Sequence, residues 1–305
     1  MQHDENRRDR AQGALLGLAI GDAVGTTLEF KRRDSYAPLD DMIGGGPFGL
    51  AAGQWTDDTS MALCLADSLL ARGDIDEHDL MQRFVRWWRD GENSPTGKCF
   101  DIGTTTREAL GRFVSSGNPV AGDTGERTAG NGSIMRLAPV ALFWQRDGAR
   151  ARTAARRQGS TTHRHPATLD ACDWLAASLV EAVRTGSRDA ALAMDTPVST
   201  PEIASVLAGS WRTKRRAEIS SSGYVAHTLE AALWAVGHAS DFRDAVLRAV
   251  NLGDDADSVG AVAGQLAGAI WGAAAIPPEW RRRLAWHAHI KALADALYER
   301  AAAMP

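Results

Sequence analysis

Apolar positions recur at helical spacing along almost the whole chain, and alternation with a period of two is nearly absent. Residues 11–25, AQGALLGLAIGDAVG, predict an Ala/Leu helix. The spans 61–72 and 78–90 predict two more, the second carrying Phe84, Trp87 and Trp88. REALGRFV reads the same way, as does 148–185 with an interruption at STTHRHP, 160–166. Residues 186–222 are polar, with short helices between loops; SGYVAHTLEAALWAV then opens another helix at Ser222, and 242–250 forms one more. The tail, from Glu279 through EWRRRLAWHAHIKALADALYERAAA, predicts one amphipathic helix to the end. Ala and Leu, strong helix formers, dominate wherever the period fits. The prediction is therefore an all-α protein, a compact multi-helix bundle. No Pro- or Ser-rich linker or composition break divides it, so residues 1–305 are expected to be a single domain, with the charged stretch 1–10 as a flexible extension.

Two helices carry glycines at four-residue spacing: Gly13, Gly17, Gly21 and Gly25 in the first, Gly260, Gly264, Gly268 and Gly272 in a late one. Each glycine inside a helix costs roughly 0.5–1 kcal/mol relative to Ala. Spacing by four keeps them near one face, where a second backbone can approach closely. Both helices are expected at the centre of the bundle, packed on each other. The apolar run Val259–Ile276 is short for a membrane span and is interrupted by Gln265, so a buried helix is expected there.

Composition narrows the function classes. A net charge of −4 gives no general reason to expect nucleic acid or a membrane surface as partner. Cys64, Cys99 and Cys172 lie far apart without CxxC spacing, and the polar start shows no secretory signal; a reduced, cytoplasmic protein is expected.

The candidate chemistry lies at two helix starts. In WTDDTS, 55–60, Asp57 and Asp58 sit between Thr56 and Thr59 just before an apolar run. In NLGDDADSVG, 251–260, Asp255, Asp257 and Ser258 precede another. Either cluster alone fits a helix cap as well as a ligand set. Two of the same design, with hard oxygen donors and no His or Cys, favour Mg²⁺ or Mn²⁺ held between them. Glu29, alone among apolar neighbours, reads by itself as a solvated surface group, and Asp101 before GTTT reads as a cap. Gly130, Asn131, Gly132 and Ser133 precede a helical stretch and could offer backbone N–H groups to a phosphate. His163 and His165 have metal-type HxH spacing but no further soft ligand nearby, so they read as loop or ligand-contact residues.

Taken together and in order, GALLGLAIGDAVGTTLEF, WTDDTS, DIGTTTREAL, GNGSIMRLAPVAL, TH before RHP, SGYVAHTLEAALWAV and GDDADSVG resemble the ADP-ribosylglycohydrolase family. The likeness is greatest to the bacterial branch that includes the dinitrogenase reductase-activating glycohydrolase, and it runs from about residue 11 to 275. It implies an all-helical fold with a central dinuclear cleft holding two divalent cations, Mg²⁺ or Mn²⁺. It also implies an enzyme that hydrolyses ADP-ribose from modified protein side chains, arginine first. By position, Thr56, Asp57, Asp58, Asp255, Asp257 and Ser258 would be the ligands. Ser258 stands where the family usually has Thr, and Asp254 and Ala256 depart from its usual GGDTDT. Glu29 matches the family's acidic residue near the metals and would be catalytic, orienting water or sugar, and Asp101 would be the acid/base for a guanidinium leaving group. Gly130–Ser133 would hold the diphosphate, with His163 and Tyr224 lining the ADP-ribose groove. The resemblance implies an ADP-ribosylated protein as substrate and ADP-ribose as product; a monomer is expected. ADP-ribosyl-serine, O-acetyl-ADP-ribose or another ADP-ribose conjugate is the alternative substrate, and a non-catalytic binding or immunity protein the alternative class.

Overall fold

The computed structural model describes residues 2–302, and among these it contains helices and no strands. In chain order the helices are α1 (Gln2–Gly25), α2 (Asp57–Arg72), α3 (Glu77–Asp90), α4 (Thr104–Ser116), α5 (Ala138–Phe143), α6 (Gly148–Ser160) and α7 (Pro166–Thr185). There follow α8 (Arg188–Leu192), α9 (Pro201–Leu207), α10 (Val225–Gly237), α11 (Phe242–Val250), α12 (Ala256–Trp271), α13 (Pro278–Arg283) and α14 (His287–Ala302). Local chemistry sets many of the ends. Asp76 accepts from the N–H groups of His78 and Asp79 at the start of α3, and Gly91 closes that helix in the left-handed region. Pro166 begins α7, whose last turn ends on left-handed Gly186.

The centre is the pair α1 and α12, which run antiparallel with their backbones touching. A methyl carbon built on Gly13, Gly17 or Gly21 would fall far inside contact distance of the carbonyl oxygen of Gly268, Gly264 or Gly260, respectively. Gly25 faces Ala256 rather than a glycine, and Gly272, whose backbone still lies close to Gly13, ends α12 at φ +84° with its own Cβ position against Asp9. This packing has a consequence for the site. It brings the C-terminal end of α1 beside the N-terminal start of α12, although more than 200 residues separate them in the chain. α10 and α11 cover α12 on one side, and α14 lies along α1.

Two expectations fail here. Residues 2–10 are not a loose extension but the first turns of α1, tied down by Arg8 to Asp295 (2.6 Å) and by Arg10 to the Val183 carbonyl (2.8 Å). The tail is not one helix. Ala285 N–H donates to the Gly53 carbonyl (2.9 Å), Trp286 takes φ +54°, and its ring meets Trp55 edge-on at 5.3 Å. A tertiary contact with the loop before α2 thus overrides local helix propensity between α13 and α14.

Candidate active site

Asp22 is the only charged residue between positions 11 and 28, and it is fully buried. Its carboxylate accepts from the N–H of Thr56 (2.9 Å), the N–H of Thr59 (3.0 Å) and both threonine hydroxyls (2.9 and 2.6 Å). The first turn of α2 is therefore capped by a carboxylate from α1, and Thr56, at the N-cap position, makes no cap bond of its own. The same device recurs at α12. Glu29, in the turn after α1, accepts from the N–H groups of Ala256 (2.9 Å) and Asp257 (3.4 Å), while Asp255 at the N-cap position makes no cap bond. Glu29 is 4% exposed, so the surface role read from its isolated position is wrong.

With capping supplied from α1 and the turn that follows it, the aspartates of both helix starts turn toward one another. Oxygens of Asp22, Asp58 and Asp257 lie within 4.8 Å of one another, as do oxygens of Glu29, Asp255 and Asp257. Asp257 belongs to both trios. The Thr56 hydroxyl lies 2.9 Å from Asp22, 3.1 Å from Asp58 and 3.2 Å from Asp257, yet it has one proton to give. Asp58 Oδ1 is buried with no hydrogen-bond partner. An all-oxygen donor set with more acceptors than protons suits hard divalent cations, so these residues fit the metals that the sequence implies.

The protonation pattern agrees. Burial, followed by repulsion from Asp257, raises Asp22 to about 7, Asp255 to about 8 and Asp101 to about 10. Burial also pushes Glu29, Asp57 and Asp58 far up, with repulsion from neighbouring carboxylates adding to it. Without a cation, the cluster relieves its repulsion by taking up protons.

The acids floor a cavity of about 890 Å³. Glu29, Asp57, Asp101, Asp255, Asp257 and Ser258 line it, while Thr56 and Asp58 lie fully buried beneath. Asp101 does not cap α4, whose N-cap is Gly103; it sits at φ +59° with Oδ2 buried and unpartnered. Phe30 and Asp254 also adopt left-handed φ near +60°, and their backbones bracket each other: Phe30 N–H donates to the Asp254 carbonyl and Asp254 N–H to the Lys31 carbonyl, both at 2.8 Å. Non-glycine residues in this region cost of order 1 kcal/mol or more and cluster at functional sites. Phe30, 68% exposed, meets Phe48 edge-on at 6.3 Å, and Phe48 packs on Phe100 at 5.2 Å, giving the mouth an aromatic rim beside Asp101.

The wall next to Asp255 is Gly130, Asn131, Gly132, His163, Ser222 and Gly223. Asn131 Nδ2 donates to Asp255 Oδ2 (2.7 Å) and so orients that carboxylate. Three expectations about this wall need correction. Ser133 is fully buried and does not line the cavity; its carbonyl accepts from Gln158 (2.9 Å). The helix expected directly after it begins only at Ala138, because Asn131–Leu137 closes into tight turns first, so no helix N-terminus faces the cavity there. Tyr224 contributes backbone pairing with Gly130, but its hydroxyl donates to Glu202 (3.1 Å), away from the lining formed by Ser222 and Gly223. His165 is a helix cap, accepting from Ala167 N–H through Nδ1 (3.2 Å), not a partner of His163 in an HxH site. Asp22 was missed by sequence reasoning. Its signal was a lone carboxylate inside an otherwise apolar, glycine-striped helix, a placement that requires a buried partner.

Comparison with known proteins places this geometry. A family described as ADP-ribosylglycohydrolase matches residues 3–304. The ADP-ribosylarginine hydrolase Tri1 of Pseudomonas putida (strain GB-1) is 50% identical over 297 residues, 97% of this chain and 80% of its own length. The ADP-ribosyl-[dinitrogen reductase] glycohydrolase of Rhodospirillum rubrum is 34% identical, covering 90% of each chain. A solved structure described as an ADP-ribosylglycohydrolase-related protein complex superposes with a TM-score of 0.88 at 42% identity, over 97% of this chain and 99% of that one.

Proposed function

The chain belongs to the ADP-ribosylglycohydrolase family, and from that premise we propose that it hydrolyses the bond between ADP-ribose and a modified arginine side chain, using two divalent cations, Mg²⁺ or Mn²⁺. The observation that carries the reading is Asp257, shared by two carboxylate trios on the floor of a cavity that also receives Asp101.

Thr56, Asp57, Asp58, Asp255, Asp257 and Ser258 would hold the cations. When bound, such cations supply a grip on sugar hydroxyls and a more acidic water. Asp22 and Glu29 hold the two helix starts and leave the ligand aspartates free to converge. Asn131 fixes Asp255. The bond broken joins the anomeric carbon of the distal ribose to a guanidinium nitrogen; water takes the carbon as oxocarbenium character develops. Guanidine departs as a strong base, and Asp101, with Oδ2 buried and unpartnered beside the site, would give a proton to that nitrogen and take in turn the proton that the adding water releases. The Phe30–Phe48–Phe100 rim offers ring faces to a planar cation beside Asp101. The glycine turn at Gly130–Gly132, with no side chains between backbone and cavity, faces the rest of ADP-ribose. A single domain acting on protein substrates in the cytoplasm belongs to the same reading, supported by three unpaired cysteines.

The test is release of ADP-ribose from arginine- and serine-ADP-ribosylated peptides, each with Mg²⁺ or Mn²⁺ and with chelator. Turnover of the arginine peptide, abolished by chelator, is expected. Preference for the serine peptide would move the substrate, and turnover undiminished by chelator would remove the metals from the reading.

A further inference from the structure

Behind the cavity wall lies a guanidinium with no carboxylate partner. Arg136 is fully buried and packs over the Phe84 ring, 4.6 Å from its centre. Its Nε donates to Gln158 Oε1 (2.9 Å), and its Nη2 donates to the Gln158 carbonyl (3.0 Å) and to Thr162 Oγ1 (3.0 Å). Thr162 is buried as well, with Oγ1 2.9 Å from His163 Nδ1. His163 lines the cavity.

Chemistry fixes the direction of every bond in this chain. Arginine can only donate, so Thr162 Oγ1 accepts from Arg136. The single hydroxyl proton of Thr162 then has one acceptor within reach among the described residues, His163 Nδ1. The reverse arrangement, with Nδ1–H donating, would strand a buried hydroxyl proton, which costs more than a hydrogen bond contributes. An imidazolium would strand it equally; burial and then the charge of Arg136 push His163 down to about 3. The ring's one proton therefore sits on Nε2. That edge of the ring faces the glycine turn: a methyl carbon built on Gly130 would lie 3.3 Å from Nε2, and one on Gly132 3.0 Å. Nε2 has no hydrogen-bond partner among the described residues.

We propose that Arg136 and Thr162 are positioning residues which lock His163 as a neutral Nε2–H donor facing the cavity, where it meets an oxygen of bound ADP-ribose. The ligand in this statement rests on the functional reading above; the lock does not. A fixed donor of known tautomer binds an anionic or hydroxyl oxygen without first reorganising. It also explains why residues 130 and 132 are glycines, since a side chain at either would crowd the ring.

Long-range ¹H–¹⁵N correlation spectra of the wild-type protein test the lock without ligand, with the His163 signals identified by their loss in His163→Asn. One neutral tautomer protonated at Nε2 is expected at neutral pH; an Nδ1–H ring, an imidazolium or a mixture overturns the proposal. Thr162→Val removes the relay hydroxyl at nearly constant volume. It should give a mixed or Nδ1–H spectrum and weaken ADP-ribose binding by roughly 5–20-fold in calorimetry, and Thr162→Ser should restore both. Unchanged tautomer and affinity in Thr162→Val would overturn the relay. If that variant does not fold, the wild-type spectrum still decides. A wild-type protein that shows the lock but binds no ADP-ribose would overturn the ligand assignment and leave the lock standing.

Discussion

The two acidic helix starts are built alike and placed differently. At α2, Asp22 from α1 takes over the cap, and Asp58 ends fully buried with an unpartnered oxygen. At α12, Glu29 takes over the cap, but Asp255 and Asp257 open onto the cavity, and Asp255 is steadied by Asn131. An aspartate that caps its own helix spends its lone pairs on backbone N–H groups. Moving the cap to a carboxylate on another segment frees those lone pairs for a shared ligand. At α2 one aspartate, Asp58, is sealed beneath the cavity while Asp57 reaches its lining; at α12 both aspartates reach it, and Asp257 belongs to both trios.

The comparison breaks most completely at Asp257. Asp257→Asn removes charge from both trios at once and is expected to lower kcat by 10³-fold or more and to reduce bound Mn²⁺ in equilibrium dialysis. Retention of both metal and rate would mean that the two starts do not share an ion. Next in size is Asp101→Asn, expected to lower kcat about 10²–10⁴-fold while ADP-ribose affinity in calorimetry stays near wild type. Loss of affinity without loss of kcat would reassign Asp101 to binding.

Stability sharpens the contrast between the two caps. Asp22→Ala removes four hydrogen bonds at a sealed site and should cost about 2–4 kcal/mol in urea unfolding with Mg²⁺ present. Glu29→Ala, which strands fewer groups beside the open cavity, should cost about 1–2 kcal/mol. Equal losses would deny that the Asp22 cap is the stronger of the two.

A last contrast is the pH response of the chelated protein. Folded Asp22, Asp255 and Asp101 sit at about 7, 8 and 10 against an ordinary 3.8. The folded state thus holds more protons than the unfolded chain between about pH 4 and those values, so stability falls as pH rises through this window. In chelator, Tm should drop steadily from pH 5 to pH 8; excess Mn²⁺, which neutralises the cluster, should flatten or reverse the trend. A Tm in chelator that rises over the same range would contradict the buried carboxylate cluster.

Much of this was legible in the chain. Helical periodicity found α2, α3, α6, α7, α10 and α11 to within a few residues, because their apolar faces repeat at 3.6 and their ends carry Asp, Pro or Gly. The glycine stripes announced a close helix pair. They could not give its register, which sets Gly25 against Ala256 and leaves Gly272 to end the helix. The break at Trp286 and the inclusion of residues 2–10 in α1 depend on contacts with Gly53, Asp295 and Val183, partners that no local window contains.

The ligand candidates Asp57, Asp58, Asp255 and Asp257 stood out in sequence because adjacent carboxylates at a helix start are a local signature. What each carboxylate does was not local. Glu29 looked like a surface residue and Asp22 like an incidental one until α1 and α12 lay against each other; Ser133 and Tyr224 looked like groove residues until their side chains turned elsewhere. Spacing along the chain determined which residues stand out as candidates. Only packing decided which of them cap, which converge and which are buried, because caps and ion sites are satisfied by whatever group reaches them in space, however far away it lies in the chain.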